Sequence, residues 1–174
     1  ELAVQPFICA HTVMLALEGI PAFYIHSMFG TRNDYRRVEN TSHNRSINRH
    51  QWQLPELEAC LQNDSSHQAI FNTLKSLINL RKQQRAFHPN ATQYTLHINN
   101  QVFAFWRQSS DRRQSIFALH NISRSAQSVS LTQLNLISTD DWIDLISAQP
   151  LEDLQGTIEL APYQCMWISN SAGA

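Results

Sequence analysis

The stretch of the sequence best equipped for chemistry is SHNRSINRHQW, residues 42–52, which carries two arginines, two histidines and two asparagines ahead of a tryptophan. Guanidinium groups are planar donors that hold a carboxylate, a phosphate or a hydroxyl in one orientation. Nucleic acid, phosphate, a metal ion and a sugar are all conceivable ligands. The net charge of −1 at pH 7 removes the global attraction that nucleic-acid binding requires, so these donors must act locally.

The histidines and cysteines do not have the spacing of a metal site. His43 and His50 lie in a polar segment without a third ligand on a firm scaffold, so no metal is expected. The 3 cysteines are far apart and form no CxxC pair, which predicts neither a disulfide framework nor zinc and favours a reducing, cytoplasmic location. No apolar run reaches the roughly 18 residues of a membrane span. Residues 1–11 lack the basic region of a signal peptide, and a chain that opens on Glu rather than Met is expected to begin within a longer protein.

The elements that would position the polar stretch follow an alternating pattern. Residues 3–18 have helical periodicity and stop at Gly19-Ile20-Pro21, and the apolar AFYIHSMF (22–29) predicts a strand buried on both faces. Helix, turn and buried strand form half of an α/β unit, which needs neighbouring strands. A polar loop over 30–53 follows, and it is far longer than the roughly 4–6 residues of an ordinary connection.

The remainder of the chain changes from helical to strand periodicity. Residues 54–62 and 67–87 predict two helices, the second with an apolar stripe and a basic last turn. From residue 91, short segments of alternating polarity such as QVFAFWRQ and QSIFALHNIS predict a small antiparallel sandwich or barrel. The fold class is therefore α+β. We divide it into an α/β part, residues 1–90, and an all-β domain, residues 91–174.

Several of these segments resemble one known family. GIPAFYIHSMFGTRND resembles the last strand and following loop of the α-amylase superfamily barrel, glycoside hydrolase family 13, and LINLRKQQRAF resembles its final barrel helix. IFALHNIS, WIDLIS and LAPYQCMWIS are similar to strands of its C-terminal β domain. RSINRH and RAFHPNATQ are similar to segments of the sucrose phosphorylase-like enzymes, including the glucosylglycerate phosphorylase relatives. The resemblance implies the C-terminal end of a TIM (β/α)8 barrel over 1–90 and a β-sandwich domain over 91–174.

The resemblance also implies an activity. It predicts a C-terminal fragment of a glycosyltransferase of carbohydrate metabolism, a retaining phosphorylase that transfers a glucosyl unit from sucrose or a related α-glucoside to phosphate. No cofactor is expected, because inorganic phosphate is the co-substrate. The family's aspartate nucleophile, glutamate acid/base and second aspartate would all precede residue 1, so this chain supplies no catalytic residue and is expected to be inactive alone. The expected partners are a small-molecule sugar, phosphate and the missing N-terminal barrel portion, with no nucleic acid and no membrane.

Site residues follow from the position of the polar loop. In barrel enzymes the loops after the strands carry the chemistry, so residues 27–52 would face the sugar pocket. The family's loop arginine pairs with an aspartate below the glucosyl subsite, and Arg45 matches it best, with Arg49 the second choice. Asn33 and Asp34 would lie on the acceptor side, although both are also ordinary turn residues, and a neighbouring arginine or histidine could attract phosphate. The predicted substrate-binding residues are His26, Asn33, Asp34, Arg45, Arg49 and His50.

Other interpretations remain open at this point. The chain could be a fragment of an α-amylase-type hydrolase (a glycosidase) or of a transglycosylase. It could also be a stand-alone, non-catalytic β-sandwich binding module, with a polar loop that is merely solvated. The sequence does not choose between sucrose, glucosylglycerate, glucosylglycerol and a phosphorylated sugar, because the loops that would select among them lie elsewhere.

Overall fold

The computed structural model describes residues 3–63, 66–137 and 140–170. Helices come first and antiparallel strands follow. The chain forms two compact units, one within Glu1–Val4 and Ala22–Ser76 and the other within Gln5–Pro21 and Leu77–Ala174. The first helix is thus grouped with the strands. The boundary near residue 90 between a barrel part and a β domain stays a prediction.

Within the described residues, five α-helices lie in the first half of the chain. The first ends shortly before Gly19, whose φ of 91° lies in the left-handed region that favours glycine. The fifth carries Arg81 and Lys82 in its last turn, where positive charge interacts favourably with the helix dipole. Their bounds are α1 Val4–Ala16, α2 Ile25–Met28, α3 Tyr35–Thr41, α4 Leu54–Gln62 and α5 Ser66–Lys82, with short 3-10 turns at Asn44–Asn48, Arg85–Phe87 and Leu131–Gln133.

The prediction of a buried strand over 22–29 was wrong. The N–H groups of Ser27 and Met28 both donate to the Tyr24 carbonyl, over 2.9 and 3.3 Å, and begin the short helix α2. Tyr24 and Ile25 are exposed, at 49% and 55%. A strand must pair its backbone groups with neighbouring strands, and the described residues of this unit contain no strand. Local helical bonds therefore satisfy part of this backbone, and the (β/α)8 barrel remains a prediction.

The antiparallel β domain predicted from residue 91 is confirmed. A 6-stranded sheet has the order β1-β2-β3-β8-β5-β6, and a second sheet pairs β4 with β7. Every pairing is antiparallel. The strands are β1 Thr92–Asn99, β2 Val102–Gln108, β3 Ser115–Asn121, β4 Gln127–Ser130, β5 Ile143–Asp144, β6 Gln149–Pro150, β7 Thr157–Leu160 and β8 Cys165–Ser169.

One face of the large sheet packs against the small one. Successive side chains of a strand point to opposite faces, and every second residue of β2, β3 and β8 enters this core. Phe117 stacks on Trp106 with centroids 5.9 Å apart, and it also contacts Trp142 at 5.6 Å. The buried members of the cluster are Val102, Ala104, Phe117, Leu119, Val129, Leu131, Leu134, Trp142, Leu160 and Ile168.

The other face of the large sheet is covered by α1 and the Arg85–Phe87 turn. The Cys9 thiol donates to the Asn121 carbonyl, 3.6 Å away. Arg107 of β2, fully buried, donates to the carbonyls of Ala16 (2.8 Å) and His88 (3.0 Å). These bonds attach a helix at the start of the chain to strands that come much later in it. The α1 helix is therefore an integral part of the β unit.

Two buried arginines donate hydrogen bonds to the carbonyl groups at and just after the end of α1. Arg81 donates to the carbonyls of Leu15 and Gly19, and both guanidinium groups lie over the Phe87 ring, at 5.4 Å for Arg81 and 5.8 Å for Arg107. The last carbonyls of a helix have no partner within the helix, and a cation there is favourable. Burial, with a smaller contribution from Arg81, lowers the pKa of Arg107 to about 10. The two charges are thus held in place by carbonyl oxygens.

The pH dependence of stability is expected to carry the signature of His120. Burial lowers the pKa of this imidazole from 6.5 to about 4, against a smaller opposing effect of the hydrogen bond from Nδ1 to the Phe103 carbonyl. Between these two pKa values, the His120 imidazole binds a proton in the unfolded chain but stays neutral in the folded chain. Stability is therefore lost as the pH falls from 6.5 towards 4, by about 2 kcal/mol near pH 5.

Urea unfolding measured at about pH 7 and about pH 5 tests this loss. The matched variant His120→Gln removes the titrating group and is expected to show a smaller difference between the two pH values. If the variant loses as much stability on acidification as the original chain, then other groups cause the loss.

Candidate functional site

A polar cavity of the first unit opens beside α3. It has a volume of about 750 Å³, within the range of small-molecule sites. The loop before α3, the first turns of that helix, the segment after the Asn44–Asn48 turn and the starts of α4 and α5 all contribute to it. Its lining residues are Thr31, Arg32, Asn33, Asp34, Tyr35, Arg36, Arg37, Asn40, His50, Trp52, Glu56 and His67. We call it the α3 cavity.

Asp34 joins the two sides of the α3 cavity. Its Oδ1 accepts the Arg37 N–H at 2.9 Å and so caps α3. Its Oδ2 accepts Nδ1–H of His50 at 3.0 Å, and its own N–H donates to the Ile47 carbonyl at 2.6 Å. The bond from Arg37, and then the one from His50, lowers the pKa of Asp34. Because a carboxylate oxygen accepts at Nδ1, the other imidazole nitrogen of His50 is left for a ligand.

A second group of side chains fixes the wall around Trp52. The indole N–H donates to Thr31 Oγ1 at 2.9 Å, and His26 Nδ1 lies 3.3 Å from that same oxygen. The rings of His50 and His67 meet Trp52 edge-on, with centroids at 4.7 and 5.5 Å. Burial, followed by repulsion from His50, lowers the pKa of His26. The Thr31 hydroxyl thus contacts the side chains of Trp52 and His26. The Trp52 ring in turn packs against the two other histidine rings.

A smaller cavity of about 440 Å³ lies at the Asn44–Asn48 turn. The Tyr24 hydroxyl donates to the Asn48 carbonyl over 2.8 Å and ties α2 to this turn. Arg45 and Arg49 both line the cavity and are exposed. Tyr24, Asn44, Ile47 and Asn48 complete its lining. We call it the turn cavity.

Five of the six predicted substrate-binding residues line one or the other of the two cavities. Asn33, Asp34 and His50 line the α3 cavity, and the structure brings Asp34 and His50 into direct contact. The two arginines of RSINRH line the turn cavity instead. His26 lines neither, although it contacts Thr31 of the α3 cavity. Substrate binding by these six residues remains a prediction.

The structure adds residues that the sequence reasoning did not select. Arg32, Arg36, Arg37 and His67 line the α3 cavity. His67 Nδ1 donates to the Phe29 carbonyl at 2.6 Å, which leaves its other nitrogen unprotonated in the neutral ring. The signal was present in TRNDYRR, residues 31–37, where three arginines surround the Asn-Asp pair. It was overlooked because the later RSINRH carried the family resemblance.

The arrangement of metal-ligating side chains and the character of the helices bear on the possible ligands. Across residues 3–63, 66–137 and 140–170, no group of three or more His, Cys, Asp or Glu side chains is arranged to hold a metal ion. Within the same residues, no helix has both the length and the apolar character needed to cross a membrane.

The Asp34 cap gives a direct test of how the α3 cavity is built. Asp34→Ala removes the acceptor of the Arg37 N–H and the partner of His50, so we expect a loss of about 1 kcal/mol in unfolding free energy. Asn33→Ala, one residue away, is the matched control and should change it by less than about 0.5 kcal/mol. Urea unfolding measures both, and equal effects of the two substitutions would contradict the capping role.

Comparison with known proteins shows which protein family the chain resembles. Residues 93–167 match the family described as Maltogenic Amylase, C-terminal domain. The chain is 36% identical over 163 residues to glucosylglycerate phosphorylase of Escherichia coli strain K12, covering 93% of this chain and 28% of the relative. The chain belongs to the sucrose phosphorylase-like group of the α-amylase superfamily. It is also 34% identical over 169 residues to glucosylglycerate phosphorylase of Allomeiothermus silvanus, covering 97% of this chain and 27% of that protein.

This sucrose phosphorylase-like chain is also similar to another phosphorylase and to the crystal structure of AmyP. Over 82 residues it is 29% identical to sucrose 6(F)-phosphate phosphorylase of Thermoanaerobacterium thermosaccharolyticum, which covers 47% of the chain and 16% of the relative. The crystal structure of AmyP in complex with maltose superposes with a TM-score of 0.74 at 12% identity, over 98% of the chain and 35% of AmyP. At that identity the likeness shows the fold alone. The chain spans less than a third of the length of the curated relatives.

Proposed function

We propose that this chain is the C-terminal portion of a retaining α-glucoside phosphorylase, which transfers a glucosyl unit from sucrose or a related α-glucoside to phosphate. The observation that carries the proposal is the 36% identity to a glucosylglycerate phosphorylase over 93% of the chain. The catalytic carboxylates would lie outside these 174 residues. In this proposal the chain forms part of the substrate pocket and adds the β domain.

The reaction would proceed by two displacements at the anomeric carbon. A carboxylate attacks that carbon, the glycosidic bond breaks, and the departing alcohol takes a proton from a carboxylic acid. A phosphate oxygen then attacks the glucosyl–enzyme ester, the carboxylate leaves, and the acid recovers its proton from phosphate. The product is an α-glucosyl phosphate, because two inversions give net retention. No cofactor takes part.

The residues of this chain would bind rather than react. Arg45, or in its place Arg49, would hold the glucosyl unit. Both are exposed and line the turn cavity, and among the described residues neither guanidinium group makes a side-chain hydrogen bond, so both can bind hydroxyls and carboxylates. Asn33 and Asp34 would lie towards the acceptor. Within the described residues, the sulfur atoms of Cys9, Cys60 and Cys165 form no disulfide, which supports our proposal of a reducing cytoplasmic location.

A chimeric enzyme tests the proposed function. This chain replaces the matching segment of the Escherichia coli glucosylglycerate phosphorylase, and the product is incubated with glucosylglycerate or sucrose, with and without phosphate. We expect glucosyl phosphate to form only when phosphate is present. The same enzyme with the segment deleted is the control and should be inactive.

The alternative activity gives a different product. A hydrolase would release free glucose at a rate that does not depend on phosphate, and that outcome in a folded chimera would overturn the phosphorylase proposal. Transfer to a second sugar in place of phosphate would indicate a transglycosylase.

A further inference from the structure

The α3 cavity contains an excess of unpaired positive charge. Arg32, Arg36 and Arg37 line it, and within the described residues their guanidinium groups make neither a side-chain hydrogen bond nor an ion pair. The backbone N–H of Arg37 is bound to Asp34, but its side chain stays available. Three residues with planar donor groups thus line one concave surface, and none of these groups has an acceptor among the described residues.

The carboxylates of the cavity do not balance these groups. Only Asp34 and Glu56 carry negative charge in the lining, against three guanidinium groups. Both Asp34 oxygens are already occupied, by the Arg37 N–H and by His50. Glu56 is exposed, as are Arg32 and Arg36, so water screens all three of these charges. The cavity therefore keeps net positive charge even with its histidines neutral.

We propose that the α3 cavity is an oxyanion-binding site, taking a phosphate or a carboxylate carried by a small hydroxylated molecule. Guanidinium groups bind both anions through paired, charge-assisted hydrogen bonds. The amides of Asn33 and Asn40 also line the cavity and can bind hydroxyls, and the volume of about 750 Å³ leaves room for more than the anion alone. A concave site on a chain of net charge −1 suits a small anion better than a polymer.

Oxyanion binding differs from the role proposed for Arg45 and Arg49 in both place and ligand. Those two arginines line the turn cavity and would hold an uncharged glucosyl unit. The use of the α3 cavity as the subsite for phosphate or an acidic acceptor rests on the proposed phosphorylase function. Anion binding itself does not, since it needs only the residues of this chain.

The test uses the 174-residue chain and inorganic phosphate as the probe. Phosphate is titrated at low ionic strength and followed by the backbone NMR signals of residues 31–37. We expect a saturable shift whose Kd rises about 5- to 10-fold in Arg36→Ala or Arg37→Ala, since each removes charge-assisted hydrogen bonds. Glu56→Gln is expected to lower Kd about 2- to 3-fold, because it removes a repelling charge.

Two matched variants decide where the anion binds. Arg124→Ala removes an exposed arginine of the β unit, and Arg45→Ala removes one from the turn cavity. Both should leave the phosphate Kd unchanged. Equal weakening in Arg124→Ala would show nonspecific charge attraction, and loss of binding only in Arg45→Ala would move the site to the turn cavity. Either result overturns the proposal, as does the absence of saturation in a chain that melts normally.

Competition identifies the source of the anion. If glycerate displaces phosphate, the site accepts the carboxylate of a hydroxy acid. If only phosphate binds, the site belongs to the co-substrate or to a phosphorylated sugar. Both outcomes support oxyanion binding. An inactive chimera with intact phosphate binding would reject the proposed function while leaving this site in place.

Discussion

A chain reduced to residues 91–174 is expected to lose cooperative unfolding. Those residues alone would leave one face of the large sheet exposed, including Phe105, Ile116 and Trp167, each of which is buried to 1% exposure or less. Burying one such side chain contributes about 1.5–3 kcal/mol, so exposing several removes an amount comparable to the whole stability of a domain, about 5–15 kcal/mol. Arg107 would also lose its acceptors on Ala16 and His88.

Thermal melting monitored by near-UV circular dichroism, together with binding of a hydrophobic dye, measures this outcome. A matched chain replaces residues 22–76 with a flexible linker and so keeps Gln5–Pro21 and Leu77–Ala174, the compact β unit. It is expected to melt cooperatively. A cooperative transition in residues 91–174 alone would instead support an independent β-sandwich module that needs neither α1 nor the Arg85–Phe87 turn.

In the chimeric phosphorylase, Arg45→Ala is expected to lower kcat/KM for the glucosyl donor by about 10- to 100-fold. A hydrogen bond to a charged group contributes about 1.5–3 kcal/mol, and each 1.4 kcal/mol is a factor of ten. Arg45 makes no side-chain hydrogen bond in the described part of the chain, so its loss should not disturb folding. Initial rates at saturating phosphate, with donor varied, measure the effect.

Arg49→Ala is the matched comparison, because both arginines line the turn cavity. A larger loss for Arg49 than for Arg45 would reverse the order that the family resemblance gives. A change in melting temperature without a change in kcat/KM would show that these residues stabilise the loop and do not hold the glucosyl unit.

The β domain was predictable because its signal is local. Alternation in QVFAFWRQ and QSIFALHNIS predicts strands from neighbouring residues alone, and the structure confirms β2 and β3 there. The attachment of α1 was not predictable in the same way. Arg107 occupies a polar position at the end of an alternating strand, yet it is fully buried. Its acceptors lie on other elements, and no local pattern reports them.

In the first unit, by contrast, local sequence composition did not predict the secondary structure of residues 22–29. The apolar run 22–29 has strand composition, but strand formation depends on neighbouring strands, and local bonds to Tyr24 give a short helix instead. The segment 30–53, predicted as a polar loop, contains α3 and a 3-10 turn. It lines both cavities, and its role in substrate binding stays a prediction. The contact between Asp34 and His50 within this segment is a tertiary feature that residue types alone do not encode.

The attachment of α1 also has a consequence for synthesis of the chain. The carbonyl of Ala16 accepts from Arg107, which is synthesised 91 residues later. The Cys9 thiol donates to the carbonyl of Asn121, which is synthesised 112 residues later. At about 5–20 residues per second of translation, the helix exists for roughly 5–20 seconds before those partners are made. The buried residues of α1, among them Cys9 and Leu15, stay exposed during that delay. Slower translation is therefore expected to increase aggregation more than it does for a domain with local contacts.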